Sequence, residues 1–352
     1  MKVLKKILSF TIIFFTLSSN IKCYGFNPII TSSNTRSPVN VAVLLYSFDY
    51  LYNKMIQKDL EDIQKDNPDK VKFTFFDGKG NPDTQSQIMK NITDSEFDLF
   101  IFNIGQKRKD IMDDIYFKLK QKNLPLIFFN STIPESSPIK YYSKVVFINI
   151  DYKESSIMEG RLIVDEWKNN KLSMDKNGDG KLQYIMLQGR PGSRLSAART
   201  KYPILTINEA GIETQELASI SANWDKDLAK NSISSAFLKY GNNIEAIIAN
   251  DDTMAIGAVE ALQQYGYNKG NKLKYIPVFG ADGTPEAKYL VKEGFMTGTV
   301  SQETKPVAKA LYDVGMNLVS GKNPTVNTNL TVNDQEIAVP ITYEPYTINS
   351  NS

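Results

Sequence analysis

The chain has 352 residues, 41% of them apolar and 23% charged, which fits two domains of roughly 150 residues each and excludes a mostly disordered chain. Lysine and arginine total 41 against 39 acids, a net charge of +2, which gives no reason to expect a nucleic-acid partner, because phosphate neutralisation needs a concentrated basic surface. Histidine is absent and cysteine occurs once, at Cys23; histidine triads, histidine metal sites and pH switches, zinc clusters and internal disulfides are thereby excluded.

Residues 1–25 read as an export signal separate from the fold. Lys2, Lys5 and Lys6 precede an apolar run from Ile7 to Leu17, the length of a signal-peptide core and too short to span a bilayer comfortably. The mature chain is therefore expected outside the cytoplasm, in the periplasm or on the cell surface. Cys23 stands just past the run, where bacterial lipoproteins carry an acylated cysteine. The preceding Asn20-Ile21-Lys22 departs from the small residues such a site uses. Acylation of Cys23 and ordinary cleavage near Gly25 both stay open. Residues 26–40 read as a polar tether of Ser, Asn, Thr and Pro.

From Val41 onward short apolar runs alternate with amphipathic segments. Strands are expected at 41–46, 71–76, 99–103 and 126–130, with helices at 54–65 and 109–122 between them. The second half repeats the grammar, with strands at 184–187, 245–249, 276–279 and 298–300. Its helices are expected at 155–169, 197–210, 225–237, 253–265 and 285–293. Near-continuous apolar strands alternating with helices predict an α/β chain of two doubly wound parallel-sheet lobes. Ligands of such sheets bind beyond the carboxyl ends of the strands.

Asp175-Lys176-Asn177-Gly178-Asp179-Gly180-Lys181-Leu182-Gln183 follows the D-x-N-x-D-G pattern of a calcium loop. Asp175, Asn177 and Asp179 offer side-chain oxygens, Lys181 its backbone carbonyl and Gln183 an amide oxygen. The twelfth position is Met186, where an EF-hand needs a bidentate Glu, so the loop is not a helix-loop-helix hand. A structural Ca2+ is expected, with the missing carboxylate supplied from elsewhere.

Polar and aromatic residues gather at strand ends: Tyr46 and Tyr52 after the first, Asn130 after the fourth, and Asp251, Asp282 and Gln302 in the second half. Trp224 opens a helix. Carboxylates, amides and an Arg that bond hydroxyls, with flat rings to cover C–H faces, suit a sugar. Singly, each has a plainer reading: helix caps for Asp251 and Asp282, core packing for the tyrosines.

Several motifs together carry a resemblance. They are Pro125-Leu126-Ile127-Phe128-Phe129-Asn130, Asp151-Tyr152-Lys153-Glu154-Ser155, the calcium loop, and Ile244-Glu245 leading to Ala249-Asn250-Asp251-Asp252. AIGAVEAL at 255–262 and Ile276-Pro277-Val278-Phe279-Gly280 with Asp282 complete the set. Residues 41 to about 343 resemble the galactose/glucose-binding proteins of bacterial sugar transport and chemotaxis, which are type I periplasmic binding proteins. The resemblance implies a first lobe from 41–149 with 303–321 and a second from 150–302 with 322–345. The hinge would cross near Asn149–Ile150, near Gln302–Glu303 and around Gly321. Glu245 falls where the family completes its calcium shell.

The same resemblance places a pyranose between Tyr52 and Trp224, with Asn130, Arg199, Asp282 and a wall tyrosine, Tyr46, around it. Asp251 and Gln302 stand where the family has Asn. Tyr50 stands where it has Asp, with Asp49 adjoining as a substitute. Ser193 and Leu195 replace a His and an Asp, so a sugar hydroxyl left unpaired there would cost about 1–3 kcal/mol unless Arg194 or water compensates. The function implied is capture of a galactose- or glucose-like monosaccharide by hinge closure of a monomeric, non-enzymatic receptor. Delivery to an ABC permease is the expected outcome; the alternative is presentation of the closed form to a chemoreceptor or histidine kinase. An enzyme using Asp251 and Asp282 as a carboxylate pair is the third class, and it is not expected.

Overall fold

The computed structural model describes residues 37–105, 109–131 and 136–351. The expected signal segment, Cys23 and most of the tether lie outside these residues. In the first lobe β1 (Val39–Leu45), α1 (Leu51–Asp66), β2 (Val71–Asp77), α2 (Pro82–Thr93) and β3 (Leu99–Phe102) alternate. They are followed by α3 (Lys109–Lys122), β4 (Leu126–Phe129) and β5 (Val145–Ile150). The second lobe runs through α4 (Tyr152–Met174), β6 (Lys181–Gln188), α5 (Arg194–Glu209), β7 (Glu213–Ser221) and α6 (Lys226–Tyr240). It continues with β8 (Ala246–Ala249), α7 (Asp252–Gln264), β9 (Val278–Asp282), α8 (Pro285–Lys292) and β10 (Gly298–Gln302). The chain then adds α9 (Lys305–Val319), β11 (Val332–Asn333), β12 (Glu336–Val339) and β13 (Tyr343–Thr347).

The strands form two sheets, ordered β11-β12-β5-β4-β3-β1-β2 and β13-β10-β9-β8-β6-β7. All pairings are parallel except β11 with β12 and β10 with β13. Every residue of β3, β4 and β8 is buried, because helices cover both faces and leave no side for polar residues. That is why these strands read as continuous apolar runs. Residues 36–352 make one compact unit, and one apolar cluster contains Tyr46 and Tyr50 of the first lobe with Trp224 and Met254 of the second.

In both lobes the strand order reverses beside the first strand, between β1 and β3 and between β6 and β8. Such a reversal opens a crevice at the carboxyl ends. The short loops there also start helices: Ser193 caps α5, Asp225 caps α6 and Asp251 caps α7 through their side-chain oxygens.

The chain passes from the first sheet to the second between β5 and α4 and leaves it again between β10 and α9. The third crossing does not lie at Gly321. Beyond Gly321 the chain stays with the first lobe, because β12 pairs in parallel with β5 from Glu336↔Phe147 to Val339↔Ile150. It crosses only between Val339 and Tyr343, to join β10 antiparallel. The assignment of 322–345 to the second lobe is corrected accordingly: the edge of β5 offers unpaired backbone groups, and β12 satisfies them.

Candidate functional site

Most of the crevice residues follow or end strands. Tyr46 comes after β1, Asn103 after β3 and Asn130 after β4; Arg190 follows β6, Trp224 follows β7, and Asp251 follows β8. Asp282 and Gln302 end β9 and β10. Asn130, Trp224 and Asp282 adopt positive φ angles of 45°, 67° and 116°. For residues with a Cβ such conformations cost about 1–3 kcal/mol each and persist where surrounding contacts over-determine them. Three of them meet in this one crevice.

Asp282 is the polar centre. Arg199 Nη2 and Gln302 Nε2 both donate to its Oδ1 at 2.7 Å, and the Tyr50 hydroxyl donates to Oδ2 at 3.3 Å. Arg199 Nη1 donates to the Asn250 carbonyl at 2.8 Å. Burial would pull the Arg199 pKa down, but the Asp282 carboxylate outweighs it and holds the guanidinium charged. Asp251 caps α7 with Oδ1, accepting from Met254 N at 2.9 Å. Burial, reinforced by the charge of Asp282, pushes the Asp251 carboxyl well above the usual range. Asp251 Oδ2, Gln302 Oε1, Arg199 Nε and Asn53 Oδ1 are buried with no hydrogen-bond partner among the described residues. The cap reading of Asp251 therefore accounts for only one of its oxygens, and Asp282 caps nothing: α8 is capped by Thr284.

The aromatic part is built around Tyr50. Its ring lies 5.9 Å from Trp224 at an interplanar angle of 23° and 6.0 Å from Tyr52 at 37°. Gly189 makes room for the indole, since a Cβ there would lie 2.0 Å from Trp224 Cζ2. Tyr46 lies under the guanidinium of Arg190, 4.7 Å from its ring centre, and Arg190 Nη2 donates to the Ile104 carbonyl across the lobes at 3.4 Å. Asn130 Oδ1 accepts from the Tyr152 hydroxyl at 3.0 Å.

Tyr46, Tyr50, Tyr52, Asn130, Ser193, Leu195 and Trp224 share an inner cavity of about 30 Å³, room for one or two waters. Asp49 does not enter it. The aspartate is exposed and faces an outer cleft of about 640 Å³ beside Lys54, Lys79 and Glu286. Asp49 therefore cannot replace the carboxylate that Tyr50 displaces. Ser193 lines the cavity, but its Oγ accepts from Ser196 N at 3.3 Å. Arg194 is exposed and pairs with Glu336 at 3.7 Å. Arg190 and Tyr152 escaped sequence reasoning; the position of Arg190 directly after a strand was the available signal.

The acidic loop comes together with Glu245, whose carboxylate accepts from Lys176 N at 2.6 Å and Gln183 N at 3.0 Å. Asp175 Oδ2 accepts from Gly180 N, Asn177 Oδ1 from Asp179 N and Asp179 Oδ1 from Lys181 N. Gln183 Nε2 donates to Asp179 Oδ2 at 2.8 Å. Gly178 and Gly180 adopt φ of 73° and 77°, which only glycine takes without strain. Among the described residues no three His, Cys, Asp or Glu side chains gather as a metal cluster. Asp175 Oδ1 and Gln183 Oε1 are nevertheless buried with no partner among those residues. No helix of the described residues is long and apolar enough to cross a membrane.

A family profile for the periplasmic binding protein domain matches residues 41–323. The chain is 37% identical over 225 residues to the galactose/methyl-galactoside binding periplasmic protein of Haemophilus influenzae, covering 63% of this chain and 65% of that protein. It is 32% identical over 129 residues to the D-allose-binding periplasmic protein of Escherichia coli, covering 37% and 39%. The aligned stretches thus span less than two thirds of these relatives' own lengths. The fold is similar to that of an ABC transporter periplasmic solute binding protein from Actinobacillus succinogenes solved with bound D-allose. That likeness has a TM-score of 0.69 at 20% identity and covers 89% of this chain and all of the other.

Proposed function

Since the chain belongs to the periplasmic binding protein domain family, we propose that it captures a galactose- or glucose-like monosaccharide between its lobes and delivers it to an ABC permease. The family works outside the cytoplasmic membrane and binds its ligands without converting them, so the protein is a binding protein and not an enzyme. The observation that carries the sugar reading is the set of buried, unpartnered polar atoms at the strand ends. Asp251 Oδ2, Gln302 Oε1 and Arg199 Nε surround the charged centre of Asp282, beside the flat face of Trp224. A polyol supplies several hydroxyls to such groups and a C–H face to the indole. The galactose- and allose-binding relatives agree with that class of ligand.

Under this reading Asp282, Asp251, Asn130 and Gln302 Oε1 accept sugar hydroxyls, Arg199 Nε donates, and Trp224 covers one face. Tyr46 and Ser193 form the wall. The acidic loop is assigned a structural Ca2+, held by Asp175, Asn177, Asp179, Gln183, Glu245 and the Lys181 carbonyl. Its support is the donor chemistry, all oxygen, and the two buried oxygens of Asp175 and Gln183 that lack partners. Calorimetry against a monosaccharide panel, with mass spectrometry of any small molecule that co-purifies, tests the function. Binding heat with at least one hexose or pentose is expected, and no heat with any monosaccharide defeats it.

A further inference from the structure

Tyr50 lies at the N-cap position of α1, in extended backbone conformation, and its side chain caps nothing. The ring instead crosses from the first lobe into the second. There it lies near parallel to Trp224 and sets its hydroxyl on Asp282. A six-membered ring held against an indole, with a hydroxyl on a buried carboxylate, is the pose a cyclic polyol would take in the same crevice. The fit is incomplete in a telling way. A phenol brings one hydroxyl, and Asp251 Oδ2, Gln302 Oε1 and Arg199 Nε stay unpartnered among the described residues around it. With the ring in place the inner cavity is about 30 Å³, far too little for a monosaccharide.

We infer that Tyr50 is an internal stand-in for the ligand: its ring bridges the two lobes and must swing out before a monosaccharide can enter. The inference rests on the sugar reading above. The outer cleft beside Asp49, Leu51 and Trp224 holds about 640 Å³ and gives the ring a place to go. Because the side chain caps no helix, the movement leaves α1 intact. Tyr50 thereby sets selectivity as well. A ligand gains access only if its hydroxyls satisfy Asp282, Asp251 and Gln302 better than one phenol does, and its apparent affinity is reduced by the fraction of chains with Tyr50 inside.

The test compares the wild-type chain with Tyr50→Ala and Tyr50→Phe by calorimetry against D-galactose, D-glucose and D-allose, and by small-angle X-ray scattering with and without sugar. Tyr50→Ala should raise affinity for the preferred sugar by about tenfold or more, and Tyr50→Phe, which loses only the Asp282 contact, by less. Sugar-free Tyr50→Ala should scatter as a more open particle than sugar-free wild type, and sugar should close it. Unchanged or weaker affinity in Tyr50→Ala, or sugar-free scattering identical to wild type, overturns the inference. If no monosaccharide binds either chain while sugar-free Tyr50→Ala still opens, the bridge by Tyr50 stands and the sugar reading alone falls.

Discussion

Arg199 and Asp282 form an ion pair at 2.7 Å in which each side chain is 1% exposed. Taking two charges out of water is costly, and the pair is maintained by the extra bonds from Gln302 and Tyr50 to the carboxylate. Asp282→Ala should therefore leave a buried, uncompensated guanidinium and destabilise the fold by about 3–5 kcal/mol, beyond any loss of ligand. Asp282→Asn, which still accepts from Gln302, should cost less. Urea denaturation of the two variants checks this, and equal midpoints for Asp282→Ala and wild type would contradict it.

Much of this centre was legible in the sequence because it sits in loops after strongly apolar strands such as 126–129 and 246–249. Other parts were not. β7, Glu213–Ser221, is an edge strand with mixed burial and polar residues throughout, so no run marks it. β12 is four residues with alternating burial, too short to signal which sheet it joins. α9 carries a sequence signal of its own: Val307, Ala308, Leu311, Val314 and Leu318 repeat at helical spacing on its buried face. The opposite orientations of Asp49 and Tyr50 depend on loop geometry, which residue type does not encode.

Trp224 is the plate of the crevice. Measured in the Tyr50→Ala background, where no phenol competes for it, Trp224→Ala should weaken sugar binding by about ten- to a hundredfold, as expected for about 1.5–3 kcal/mol of lost apolar cover. If Trp224 serves only packing, calorimetry will find the affinity of the folded variant unchanged while its melting temperature falls.

Leu195 shares the inner cavity with Arg190 and Asn130. Leu195→Asp should restore a polar contact on that wall and raise glucose or galactose affinity by about tenfold, the worth of one charge-assisted hydrogen bond. A fall in affinity for both sugars would mean that galactose or glucose is already held on that wall by compensating groups.

Calcium bound to the acidic loop should stabilise the folded state by about 4 kcal/mol at 1,000 times its dissociation constant. Chelation is then expected to lower the melting temperature, and Glu245→Gln to remove most of that response. Sugar affinity should change little, since the loop at the start of β6 lies at the opposite end of the strand from the crevice. Melting curves that coincide with and without chelator would rule the assignment out.

Asp252 is buried, and burial first, then the charge of Asp282, push its carboxyl up to about 7; bonds from Thr299 and Thr284 act against the shift. The folded state therefore holds this proton more tightly than the unfolded chain does. Its contribution to stability is fully present below the ordinary Asp range and is lost as pH rises through about 7. Glu159, buried with both carboxylate oxygens unpartnered among the described residues, shifts the same way. Chemical denaturation between pH 5 and 8 should show stability falling toward the alkaline side, and Glu159→Gln should flatten that slope. A steeper alkaline loss in the variant would reverse the assignment.

The last stretch of chain, β11 to β13, is spread over both sheets. Peeling it away would strip the protective border from β5 and from β10 in a single event, baring two strand edges at once. Raw edges of that kind template pairing with neighbouring molecules. Proteolytic trimming from the carboxyl end should therefore register as self-association and precipitation well before either lobe loses its helices, a failure mode set by where one short segment is stitched.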